Sequence, residues 1–101
     1  MPYINEKARE ELDSCIENMV SCLINDNINI SNEEFLSIAG ELNYTFSRIL
    51  AGCMKDVSYS KIAVITGVLE NIKQEFYRRV AKPYEDKKIS ENGDIREYKL
   101  I

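Results

Sequence analysis

The sequence predicts an all-α fold: a small antiparallel helical bundle of three main helices, plus a short helix and an extended C-terminal tail. Two observations carry this. Apolar residues recur at spacings of three and four in three separate stretches. Between those stretches stand short runs of Asn, Asp, Ser and Gly, which favour turns and helix ends. The 101 residues, with 45% hydrophobic and 30% charged side chains, suit one domain over residues 1–101, with 94–101 as the tail.

The first helix is expected from about Glu6 to Ile24. Asn5 can cap it, and Ala8, Leu12, Cys15, Ile16, Met19, Val20 and Leu23 form one apolar stripe. NDNINI, residues 25–30, then breaks the pattern. Ser31 opens a capping box with Glu34 ahead of Phe35, Leu36, Ile38 and Ala39, and Gly40 is expected to break or kink the chain. A second main helix follows over residues 41–54, with Leu42, Phe46, Ile49, Leu50 and Cys53 inward.

Ser58 or Ser60 is expected to cap the third helix, whose stripe comprises Ile62, Ile65, Val68, Leu69, Ile72, Phe76 and Val80. Pro83 lacks a backbone N–H and disfavours helical geometry at Lys82, so the helix should end or kink there. A further short helix can begin with Pro83 in its first turn and stop at Gly93. The tail DIREYKLI alternates imperfectly, as a lone strand would, and could pair with MPYI at the other end or with another copy. Small residues Ser60, Ala63 and Gly67 make a narrow strip where another backbone could approach closely, either a second copy or the tail.

Charge narrows the partners. Seventeen acids against thirteen bases give a net charge of −4, the wrong sign for neutralising nucleic-acid phosphates. Residues 1–47 hold nine acids and two bases (−7), while residues 48–101 hold eleven bases and eight acids (+3). An anionic ligand should prefer the second half, and the two halves can also attract each other within or between chains. No apolar run approaches the roughly 20 residues a bilayer span needs, so a cytoplasmic protein without membrane contact is expected. Cys15, Cys22 and Cys53 lack CxxC spacing and are expected as reduced core thiols.

The chain has no histidine, no glycine-rich phosphate loop and no GxSxG, so neither catalysis nor a metal or cofactor is expected. Binding is the better-supported class. At 100° per residue Arg79 falls on the edge of the third stripe, where a guanidinium needs a partner because an unpaired buried charge costs several kcal/mol. That partner is either an acid, Glu75 first, or a ligand carboxylate or phosphate gripped by the planar fork. Arg78 points elsewhere. Tyr77 and Tyr84 offer flat faces for a base or sugar, or serve as bundle edges with wet hydroxyls. On the second helix Tyr44 and Arg48, four apart, share the outer face, and Asn43 lies at the stripe border, where an amide can read hydrogen-bonding edges.

MPYI at the start, LNYTFSR at 42–48 and EFYRRVAKPYEDKKISENGD at 75–94 resemble a family of small bacteriophage- and prophage-encoded proteins of unknown function. Its members open with MPYI and carry LNY...R, then EFYRRV..PYEDKK...ENGD. The likeness covers nearly the whole chain, and the tail after Gly93 is longer than that family's ending. Small, acidic, oligomeric phage proteins include the anti-defence families called Sequestin and Lockin, which hold nucleotide immune signals without cleaving them. By that analogy the chain is expected to be a homo-oligomer that sequesters an ADP-ribose-like or cyclic nucleotide. Arg79, with Arg78 or Arg48, would hold phosphate; Tyr77, Tyr84 or Tyr44 would stack; Asn43 would bond the base or ribose. The alternative is a non-enzymatic factor that occludes a host or phage protein.

Overall fold

The computed structural model describes residues 4–25, 27 and 29–101, and within them the chain is all-helical. It divides into two compact units, Met1–Ser58 and Tyr59–Ile101.

The first unit holds α1 (Glu6–Ile24), α2 (Asn32–Ser37) and α3 (Ala39–Met54). α1 starts where the sequence places it, because the Asn5 side chain accepts a hydrogen bond from the Ala8 N–H at 2.9 Å. It stops at Asn25, whose left-handed conformation (φ 51°) is one that asparagine tolerates better than most residues. α2 starts at Ser31 as expected: the Glu34 N–H donates to Ser31 Oγ at 3.1 Å, and the Ser31 hydroxyl donates to Glu34 Oε1 at 3.0 Å.

The break between α2 and α3 lies at Ile38, not at Gly40. The Ser37 hydroxyl donates to the Glu34 carbonyl at 2.6 Å, and the Ile38 N–H turns to Phe35 O at 3.1 Å, the three-residue pattern that tightens a last helical turn. Ile38 O then accepts from the Leu42 N–H and starts α3, leaving Gly40 inside that helix. Ile38 is also the one buried apolar side chain among the described residues, 8% exposed.

The second unit is α4 (Tyr59–Phe76), a π-helical segment (Tyr77–Ala81), α5 (Lys82–Asn92) and a single turn, α6 (Arg96–Lys99). α4 begins directly after Ser58, one of the two expected capping positions. Pro83 does not end the helix. Its ring would clash with the carbonyl four residues back, and the wider π turn just before it, with the Lys82 N–H bonded to Tyr77 O, relieves that crowding while the helix continues. α5 then has proline in its first turn and stops at Gly93, whose φ of 89° suits glycine. The tail is not an extended strand: Ile95 is extended, but Arg96–Lys99 turns helically, with the Lys99 N–H bonded to Ile95 O. Pairing of the tail with MPYI falls on residues 1–3, outside the described residues.

The stripes have the phase read from the sequence but not the burial. Leu12, Ile16 and Phe46 are each about half exposed, as are Phe76 and Val80. Cys15, Cys22 and Cys53 are free thiols as expected, yet exposed. At Gly67 an added Cβ meets nothing within 4 Å, so no tail contact accounts for that glycine. No helix among the described residues is long and apolar enough to cross a membrane.

These local assignments predict opposite effects for two exposed substitutions. Gly67→Ala should stabilise by roughly 0.5–1 kcal/mol, since the backbone is helical and the space is open. Asn5→Ala should cost about 1 kcal/mol through loss of the α1 cap. Urea denaturation followed by circular dichroism reads both.

Candidate functional site

In the first unit α3 presents Asn43, Tyr44 and Arg48. One helical turn separates Tyr44 from Arg48, so their side chains lie along the same face. The Arg48 guanidinium carbon stands 5.8 Å from the Tyr44 ring centroid, within cation–π range, and Arg48 Nη1 donates to Tyr44 Oη at 3.4 Å. The pair borders a cleft of about 350 Å3 whose other lining residues are Met19, Thr45 and Ile49. Met19, Thr45 and Ile49 also line a second depression, an apolar trough of about 310 Å3 between the stripes of α1 and α3. Asn43 is outside that lining, and its amide oxygen accepts from the Ser47 hydroxyl at 3.4 Å.

Sequence reading found Tyr44 and Arg48 but missed the cleft's floor. Met19 and Ile49 looked like ordinary stripe positions, and Thr45 carried no signal. What reveals them is that the stripe is open at that point.

In the second unit Tyr77 and Arg78 share a depression of about 370 Å3 with Lys73 and Gln74. Arg79, expected at a core edge, is exposed. The stripe it borders is itself open, so its edge is wet. Arg79 and Glu75 each have an interaction of their own. Tyr84 belongs to a different depression, of about 390 Å3, together with Lys88, Ile89, Asn92 and Tyr98 among others. There the Lys88 ammonium lies 5.5 Å from the Tyr84 ring centroid. Lys88 also pairs with Glu91 at 3.3 Å.

The π segment brings together two residues that helical periodicity keeps apart. On a regular α-helix positions eight apart diverge by about 80° around the axis. The π turn wraps more residues per turn and removes that offset, so the Tyr77 hydroxyl donates to Glu85 Oε2 at 3.1 Å. This bond, then the negative charge of Glu85, raises the Tyr77 pKa above the ordinary 10.0. Lys82 next to it is raised likewise, by its bond to Asp86 at 2.9 Å and by that residue's charge. Both pairs are solvent-exposed, so water and salt screen them.

Because the folded-state pKa of Tyr77 lies above its unfolded value, the bond to Glu85 contributes in full below pH 10 and is lost as pH rises through the folded value. An ultraviolet tyrosinate titration should show one of the six tyrosines ionising late. Tyr77→Phe should remove that late step, and Glu85→Gln should move it down toward the ordinary value. If the wild type shows no late step and Glu85→Gln shifts nothing, the bond is absent in solution.

A family described as a domain of unknown function, DUF6899, matches residues 1–95. The match takes in the first unit and most of the second, and stops before α6. Comparison with curated proteins finds no match, and comparison with solved structures finds none. With its match spanning nearly the whole length, the chain belongs to the DUF6899 family.

Proposed function

We propose that this chain is a non-catalytic binding protein, working as a homo-oligomer, that sequesters a nucleotide-derived small molecule of the ADP-ribose or cyclic-nucleotide class. In the setting implied by its likeness to phage-encoded proteins, the ligand would be an immune signal held without being cleaved. The observation that carries this reading is the Tyr44–Arg48 pair at the border of the unit 1 cleft.

Three properties of that pair suit such a ligand. Tyr44 is 63% exposed, leaving it accessible to a stacked base. Arg48 spends a single N–H on Tyr44 Oη, and a guanidinium has five, so donors remain for a phosphate. The cleft volume lies within the roughly 300–1,000 Å3 range that small-molecule sites occupy, and Met19 and Ile49 give it apolar walls. Tyr77 and Arg78, with Lys73 and Gln74, offer the same chemistry in the second unit and form the secondary candidate.

Calorimetry with ADP-ribose, cyclic ADP-ribose and cyclic dinucleotides tests the proposal. At least one should bind and be recovered intact. Arg48→Ala should weaken it by roughly tenfold to a hundredfold, the worth of a charge-assisted hydrogen bond. Tyr44→Ala should weaken it further than Tyr44→Phe, which keeps the stacking face. If the folded wild-type protein gives no heat with any of them, the reading fails.

A further inference from the structure

We propose that the depression at the C-terminal end of α5 is a binding site for an organic cation, an alkylammonium or alkylguanidinium group. It lies wholly within the second unit, and its volume of about 390 Å3 is that of a small-molecule site. Tyr84, Glu85 and Lys88 reach it from α5, Asp94 from the link that follows, and Tyr98 from α6. Ile89 and Ile95 wall the same space, which suits the carbon body of an organic ion. Among the described residues no group of acidic or thiol side chains is placed to hold a metal ion.

Three features favour positive charge there. The first is aromatic, since the face of a tyrosine ring attracts a cation. Tyr84 already takes one from its own helix, the Lys88 ammonium 5.5 Å from its centroid. With that ammonium in place Tyr84 is still 62% exposed, and Tyr98 is 64% exposed, so ring surface remains for another cation. The second is the pair of carboxylates. Asp94 Oδ1 accepts from the Ile95 N–H at 2.8 Å, and Glu85 Oε2 accepts from the Tyr77 hydroxyl at 3.1 Å. Both donors are neutral, so they orient the carboxylates without neutralising them. Asp94 is half-buried, where screening by solvent is weaker. Among the described residues the lining holds one base, Lys88, and its charge is met by Glu91 at 3.3 Å.

The third feature is the helix end itself. Ile89, Asn92 and Gly93 bring the last turn and cap of α5 to the depression, and the carbonyls of a last turn carry the negative end of the helix dipole. α5 has no basic residue in that turn to answer it. The depression that Tyr77 and Arg78 line has the opposite character, with Lys73 as a second base and no acid among its described lining residues.

None of this rests on the nucleotide reading, whose Tyr44–Arg48 pair lies in the first unit. Glu85 and Asp94 would repel a phosphate, so the two sites take ligands of opposite charge and succeed or fail separately.

Amide NMR titration of the whole chain with spermidine and with agmatine, at fixed ionic strength, tests the site. At least one should give saturable shifts centred on residues 84–98. Tyr98→Ala and Asp94→Asn should each weaken binding roughly two- to fivefold, the worth of an exposed cation–π contact or ion pair, while Tyr98→Phe keeps the ring and should bind as the wild type does. Lys88→Gln should tighten binding by about twofold or more, because it removes a like charge and clears the Tyr84 face. Lys99→Gln makes the same change in net charge outside the lining and should leave affinity unchanged. A blocked lysine amide run alongside separates the sources: binding equal to that of the free amines assigns the cation to a side chain of a partner, and binding by the free amines alone assigns it to a small molecule. Three results would each overturn the proposal: no shifts with either amine, shifts spread over the acidic face of α1, or equal tightening by Lys88→Gln and Lys99→Gln, which is a response to net charge and not to this site.

Discussion

Covering apolar helix faces is the constraint on which everything else in this protein depends. Helices of 16 to 19 residues, such as α1, α3 and α4, are near the length at which an isolated helix is marginal in water. Caps at Asn5 and Ser31 contribute about 1 kcal/mol each, which delimits helices but does not hold a tertiary structure together. Ion pairs add little, since Lys82–Asp86 and Lys88–Glu91 both lie in solvent. What remains is hydrophobic burial, at about 25 cal/mol for each Å2 removed from water. Among the described residues Ile38 alone is buried.

The π segment shows how one local requirement reorganises a surface. Proline at position 83 forbids a regular α turn around it, and the chain answers by widening the preceding turn. The widening changes the helical phase of everything C-terminal to it. Tyr77 then meets Glu85, and Tyr84 with Lys88 faces a depression different from the one Tyr77 and Arg78 line. A charged stretch that reads as continuous in sequence becomes separate surfaces because of one residue without an N–H.

How much was legible in the sequence follows from which interactions are local. The limits of α1, the Ser31 start of α2 and the Gly93 stop of α5 were readable because a cap or a terminator acts within three or four residues. Tyr44 and Arg48 were readable for the same reason. The break at Ile38 was not, because it depends on the Ser37 hydroxyl taking the Glu34 carbonyl, a choice that looks no different in sequence from any other serine. Arg79 was assigned to a core edge by an unbroken 100° count along a stripe assumed to be covered. That stripe is open, and the tail assigned to a strand from its alternation makes a turn of helix instead.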